Sequence, residues 1–369
     1  MIPVNEPLLN GNELKYLQEC IESGWISSEG PFVKRFEEEF ARRVGRRHAI
    51  AVANGTAALD IAVDASGIGP GDEVIMPTFT IISCISQIVR AGATPVLVDS
   101  DPTTWNMDVR QVADKITPRT KAIMAVHIYG LPVDMDPLVE LAQQHGLLLI
   151  EDAAQMQGQT YLGRNCGSFG DISTFSFYPN KHVTTGEGGM VLTDDDQLAE
   201  RARSLRNLCF QPGRRFVHEH LGWNYRMTSL QAAIGVAQLE RLDEFVGAKR
   251  EMGRLYMSHL EGLPGVQLPL PETPYARNIY WVFGLVLDEQ LGLDAVEAMK
   301  RLADREIGTR PFFCPMHMQP VLLRRGLFRG EAYPVAERLY KQGFYVPSGL
   351  ALGPQDIGQV ALQVREILR

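Results

Sequence analysis

The chain has 369 residues, 45% of them apolar and 22% charged, so it can bury a large core and is expected to form more than one structural unit. Its formal net charge of −8, with no basic stripe, excludes a general nucleic-acid-binding role, although net charge says nothing about one positive pocket. Five scattered cysteines (Cys20, Cys84, Cys166, Cys209, Cys314) form no CxxC pair and suggest neither a disulfide framework nor a metal site. The opening MIPVNEPLLNGNELK lacks the basic-then-apolar pattern of a signal peptide, and no apolar run reaches the length of a membrane span. A cytoplasmic protein with reduced thiols, no membrane contact and no nucleic-acid partner is therefore expected.

In chain order, short apolar runs at 48–52, 73–76, 95–99, 121–127, 147–152, 172–177 and 189–193 read as strands. Stretches with helical spacing lie between the first five: 55–66, 83–91, and 134–145 with Pro137 in its first turn. This alternation predicts an α/β layer structure around a largely parallel sheet. Segment 178–188 is polar and Gly-rich and leaves no room for a long helix before the last of these strands. The stretch 228–260 reads as one long helix, or two helices meeting near Gly247. Beyond Pro264 the pattern changes to a strand at 280–287 and helices at 294–305, 333–342 and 354–368. The expected division is a large α/β domain over 1–245 and a smaller C-terminal α+β domain over 246–369.

Ligands of open α/β sheets collect at the carboxyl ends of the strands, and several unusual residues fall there. The run LLLIED puts Asp152 directly after residues suited to a buried strand. Alone, such an acid is most often a turn former, but beside a protonated heterocyclic nitrogen it would stay ionised and hold that nitrogen protonated. FSFYPNKHVTTGEGG sets Lys181 in a loop with Pro179 and Asn180 to fix a turn, and with Gly186, Gly188 and Gly189 to let backbone approach a ligand closely. An isolated loop lysine is usually solvated. In a partly dry pocket its amine loses proton affinity and becomes available for a Schiff base. Asn54-Gly55-Thr56, between a strand and an apolar helix, can offer free N–H groups and a hydroxyl to a phosphate, although the same tripeptide also caps helices that bind nothing. Ser176 could add a second hydroxyl. The order of these signals, a phosphate cradle, then a strand-end acid, then a loop lysine, is more specific than any one of them.

At these residues the sequence resembles the DegT/StrS-type sugar-nucleotide aminotransferases, a branch of the fold-type I pyridoxal phosphate enzymes. The likeness runs from end to end through GWISSEGPFVKRFEEEF, NGTAAL, GDEVIMP, ITPRTKAIM, VHIYG, EDAAQ, GDISTFSFYPNKHVTTGEGGM, NYRMTSLQAAIG and RPFFCPMHMQP. It implies a large domain with a mixed, mostly parallel seven-stranded sheet flanked by helices, and a smaller C-terminal α+β domain. It also implies pyridoxal 5′-phosphate cycling through pyridoxamine 5′-phosphate, L-glutamate as amino donor, and a nucleotide-linked keto sugar as acceptor. By this resemblance Lys181 is the Schiff-base lysine and proton shuttle, Asp152 pairs with the pyridine nitrogen, and Gln155 sits near the ring hydroxyl. Gly55, Thr56 and Ser176 hold the cofactor phosphate. Asn224 reaches the phosphate of a neighbouring subunit's cofactor, so a homodimer with shared sites is implied. Arg310 and His317 fall in the segment that resembles the family's substrate-facing loop.

Within the family the pattern is most similar to the branch that aminates C4 of GDP-4-keto-6-deoxymannose, as in O-antigen and lipopolysaccharide synthesis. Amination at C4 or C3 of a dTDP- or UDP-linked sugar is the alternative. Two departures bear on this. Many relatives carry an aromatic residue that stacks on the ring four residues after the strand-end proline, whereas here Pro77 is followed at that spacing by Ile81; either Ile81 packs on the ring, or Phe79 does so from a shifted backbone. Gln155 stands where the GDP-sugar branch tends to have Glu. A pyridoxamine-dependent sugar dehydratase would have His in place of Lys181, and His182 is out of register for that role. A Rossmann oxidoreductase lacks its GxGxxG after the first strand. A non-catalytic regulator would not be expected to retain Lys181, Asp152 and Thr56 together.

Overall fold

In the computed structural model, residues 1–211, 213–214 and 216–368 are described. Two helices open the chain, α1 (Glu13–Ser23) and α2 (Pro31–Val44). The α/β alternation then runs β1 (His48–Val52), α3 (Gly55–Ala65), β2 (Glu73–Pro77), α4 (Ile82–Arg90), β3 (Thr94–Val98), β4 (Thr120–Val126), α5 (Met135–His145), β5 (Leu148–Asp152), β6 (Ile172–Ser176), β7 (Gly189–Thr193) and α6 (Asp196–Arg206). Two further helices, α7 (Ser229–Leu239) and α8 (Leu242–Leu260), lead to β8 (Val266–Gln267), β9 (Phe283–Leu287), α9 (Ala295–Ala303), β10 (Arg310–Pro311), α10 (Pro334–Gln342), β11 (Gly343–Val346) and α11 (Pro354–Ile367).

The seven expected strands form one sheet in the order β1-β7-β6-β5-β4-β2-β3. All neighbours are parallel except β7, which runs against both β6 and β1. Both faces are covered, so alternate residues of one strand enter different cores. In β1, Ile50 and Val52 pack with α3, α4 and α6, whereas Ala49 and Ala51 pack with α2, α5 and α7. A second sheet, β8-β9-β11-β10, is antiparallel and packs with α8, α9 and α11 around Tyr256, Phe283, Phe344 and Val360.

Three differences from expectation have physical causes. The break in 228–260 falls at Glu240–Arg241, not at Gly247, because Asn12, Tyr16 and Arg35 all engage the Glu240 carboxylate there. The chain start does not stay with residues up to 245: Ile2 exchanges backbone hydrogen bonds with Glu306 and Gly308, and Ser348 N–H donates to Val4 O. Helix α8 crosses the expected boundary, placing Leu242 and Val246 in a core of the large sheet and Met252, Tyr256 and Leu260 in that of the small one. Among the described residues, no helix is long and apolar enough to cross a membrane.

The glycines of α7 and α8 test this packing. A Cβ on Gly235 would lie 2.7 Å from the ring of Phe36, whereas one on Gly247 meets nothing within 4 Å. Gly235→Ala should lower the thermal midpoint, corresponding to about 1–3 kcal/mol of overpacking. Gly247→Ala should hold or raise it, by about 1 kcal/mol of helix propensity. Equal effects of the two changes would contradict this arrangement.

Candidate active site

A cavity of about 670 Å³ opens at the carboxyl ends of β1, β2, β4, β5 and β6. At the end of β1 the backbone turns sharply into α3. Asn54 is extended, with φ −168°, and its Oδ1 accepts from Ala57 N–H at 2.8 Å. As the first residues of α3, Gly55 and Thr56 have no intrahelical acceptor for their N–H groups, so the helix start presents donors and positive dipole to the cavity. Thr56 Oγ1 lies 2.8 Å from Ser83 Oγ, and both residues line the cavity. Only glycine fits at 55, because a Cβ there would stand 2.7 Å from Ser176 Cβ. A Cβ on Gly189 would meet Asn54 O at 2.4 Å, so β7 also passes this turn without room for a side chain.

Asp152 ends β5 in register with Val126 of β4 and Thr174 of β6, and all three line the cavity. It is buried; Oδ1 accepts from Ala154 N–H at 3.0 Å, and Oδ2 accepts from the Cys84 thiol at 3.2 Å. Gln155 is also buried, and its Oε1 accepts from Tyr129 N–H at 2.6 Å, which leaves the amide NH2 as the donor available to a ligand.

Because β7 is antiparallel, the β6–β7 connection stays at the carboxyl edge of β6 and delivers Lys181 to the same cavity. Lys181 N–H donates to Tyr178 O, closing the turn expected around Pro179 and Asn180. The amine lies 3.5 Å from the centroid of the Trp281 ring, and the indole N–H of Trp281 donates to Asn180 O at 2.8 Å. Burial pushes the Lys181 ammonium down to about 7, against the opposing pull of the Asp152 carboxylate. His182 is buried beside it, donates from Nε2 to Ile279 O at 3.2 Å, and is held neutral by burial, down to about 3.

Seven of the predicted site residues thus line one cavity: Gly55, Thr56, Ile81, Asp152, Gln155, Ser176 and Lys181. Ile81, 45% exposed at the start of α4, is in that lining. Phe79 is not; it is fully buried against Tyr129, Phe312 and Phe313, so the aliphatic alternative fits the geometry. Asn224 is exposed and outside the lining, its backbone bridged to Asn207. A larger hollow of about 970 Å³ near it, bounded in part by Trp25, Ile26, Arg206 and Arg226, contains none of the predicted site residues.

Arg310 is exposed on β10 opposite Tyr345, which does line the cavity, while Arg310 itself does not. His317 also stands outside the lining. Its ring is buried between Thr78 Oγ1, at 2.8 Å, and Glu337, at 3.0 Å, so it ties α10 to the end of β2 and does not enter the cavity. Sequence reasoning passed over Ser83, Cys84, Trp281 and the cavity-lining Phe313 and Tyr345. A lone Ser or Cys in an apolar helix carries no signal, and the aromatic residues lie in segments that read as strand or loop.

The residues present fit pyridoxal phosphate: free N–H groups and hydroxyls at a helix start, a buried carboxylate, an amide donor and a dry lysine share one cavity. The family model of DegT/DnrJ/EryC1/StrS aminotransferases matches residues 7–365. A GDP-perosamine synthase of Caulobacter vibrioides is 45% identical over 368 residues, covering all of this chain and 98% of that protein. The structure of the aminotransferase TlmJ from Streptoalloteichus hindustanus superposes with a TM-score of 0.91 at 33% identity, covering 99% and 98% of the two chains. That of DesI in the presence of its TDP-sugar product does so with 0.88 at 35% identity, covering 100% and 92%. The chain therefore belongs to the DegT/DnrJ/EryC1/StrS aminotransferase family and works with pyridoxal phosphate.

Proposed function

We propose that the chain transfers the amino group of L-glutamate to C4 of GDP-4-keto-6-deoxymannose, giving GDP-perosamine for a surface glycan such as an O-antigen. The observation that carries the reaction is the meeting of Lys181 and Asp152 in one cavity whose rim holds the start of α3. Likeness across the whole chain to a GDP-perosamine synthase supports the substrate. A TDP-linked sugar is the second reading, favoured by Gln155 and by the likeness to DesI. A large α/β domain and a smaller C-terminal one, with α8 shared between them, and the cytoplasmic setting belong to the same proposal.

Bound pyridoxal phosphate supplies an electron sink conjugated to the transferred nitrogen. Gly55, Thr56, Ser83 and Ser176 would hold its phosphate, Asp152 would keep its ring nitrogen protonated, and the Gln155 amide would donate to its ring oxygen. Ile81 would pack against the ring. Lys181 would form the covalent link and, once released, would take the proton from the donor's Cα and later deliver one to the sugar's C4. An amine poised near neutrality can do both. The aromatic side chains of Phe313, Trp281 and Tyr345 border the space left for substrate. Exposed Trp25, Ile26 and Leu221, near exposed Asn224, support a homodimer in which Asn224 completes the partner's phosphate site.

Incubation with ¹⁵N-glutamate and a panel of GDP-, dTDP- and UDP-linked keto sugars, read by mass, should label the GDP sugar fastest; preference for a dTDP sugar would overturn the substrate. Borohydride should fix the cofactor on Lys181, and Lys181→Ala should cut transamination by about 10³-fold or more with the fold intact; a tag on another lysine rejects the assignment. The free amine is the nucleophile, so the rate at which cofactor-free protein takes up pyridoxal phosphate should fall about tenfold per pH unit below about 7 and level off above it. A rate still climbing at pH 9 would mean an ordinary solvated lysine. Mixing Lys181→Ala with Asn224→Ala subunits should restore one complete site per mixed dimer, and no recovery on mixing would argue for self-contained sites.

A further inference from the structure

A second lysine is buried behind the first. Lys249, on α8, is 2% exposed. Its Nζ donates to Trp281 O at 2.9 Å and to Ser348 O. Among the described residues it has no carboxylate partner, and ions at such depth are costly unless paired. Two turns along the same helix, Tyr256 Oη donates to Pro347 O at 2.8 Å, so a neutral hydroxyl performs the equivalent anchoring of the neighbouring carbonyl. The positive charge at 249 is therefore more than that anchoring requires.

Its second acceptor points to a use. Trp281 is the residue whose ring lies against the Lys181 amine and whose indole N–H grips Asn180. Asp152 and Cys84 bear on Lys181 from the sheet side, and Lys181 in turn bears on His182 of its own loop and on Lys249 of α8. Asp152 and Cys84 both draw a proton towards Lys181, but burial keeps the Cys84 thiol protonated, and on the proposed function the Asp152 charge is taken up by the cofactor ring. Lys249, with two carbonyl acceptors, is the better place for a shared proton.

Resting on the reading of Lys181 above, we propose that Lys249 is a positioning residue: clamped on the carbonyls of Trp281 and Ser348, it seats the indole against the Lys181 amine and sets an unopposed positive charge behind it. The consequence is a Lys181 that stays a free base when it leaves the cofactor, ready to accept the donor's Cα proton. Burial and the neighbouring Lys181 push the Lys249 ammonium itself down to about 7, so the two amines compete for protons.

Competitive labelling of the cofactor-free, full-length chain across pH, with Lys181 read by peptide mass, tests this without using turnover. The wild-type midpoint is expected near about 7. Lys249→Gln, a neutral donor, should raise it by about one unit or more, while Lys249→Arg, which keeps the charge, should leave it near the wild-type value. The acid limb of the kcat/KM profile should move with it. An unchanged midpoint in Lys249→Gln, or equal shifts in the Gln and Arg variants, would overturn the proposal. Should Lys249→Gln fail to fold by circular dichroism, Lys249→Met takes its place under the same criteria. Borohydride tagging of the wild type reports separately whether Lys181 is the cofactor lysine.

Discussion

The site depends on a conflict at one amine. Lys181 must be dry enough to lose its proton near neutral pH, yet it shares a cavity with a carboxylate that would restore it. Sheet topology keeps both conditions together. Parallel neighbours β4, β5 and β6 bring Val126, Asp152 and Thr174 to one row, which fixes the acid at the sheet's edge. A parallel successor to β6 would need a crossover that carries the chain to the other end of the sheet. Antiparallel β7 removes that need, so the loop bearing Lys181 stays where the acid is. The single reversed strand is thus what allows the acid and the amine to meet.

The same reversal explains the glycines. With β7 between β1 and β6, the turn from β1 into α3 passes directly against both neighbours, close enough that Cβ atoms on Gly55 and Gly189 would collide with Ser176 and Asn54. Close packing here aims the start of α3 into the cavity, and about half a unit of positive charge comes with the helix dipole. The phosphate cradle, the acid and the lysine are therefore consequences of one strand order rather than three separately arranged features.

This explains why so much was legible in the sequence. The strands carry short apolar runs at both-face-buried positions, and all seven were readable, together with α3, α4 and α5. Asp152, Lys181 and the Asn54–Thr56 turn lie at the ends of those runs, so the period of the chain located them. What escaped depends on long-range contacts. The end of α7 is set by Asn12, Tyr16 and Arg35 gripping Glu240, more than 200 residues away, and Gly247 is no break because nothing around it rewards one. Trp281 reads as part of a strand because its apolar neighbours do; only folding brings its ring over Lys181. His317 was expected near substrate only because its segment resembles the family's substrate-facing loop, and its two buried partners could not be seen from spacing.

The bonds of His317 show how the C-terminal part contributes. It docks on the ends of β2 and β3 through buried polar bonds: Thr78 to His317 and on to Glu337, and the Asp99 carboxylate accepting from the N–H groups of Val335 and Ala336 at the start of α10. Apolar contact supplies much of the energy of such an interface but tolerates sliding, whereas a buried donor or acceptor displaced from its partner costs about 1–3 kcal/mol. These bonds therefore fix the register of the C-terminal part more than its stability. Phe313 lies between His317 and β10, and Tyr345 lies on β11, so the aromatic border of the cavity is placed by the same bonds. A residue here can thus decide which substrate fits without touching it, by setting where those rings stand.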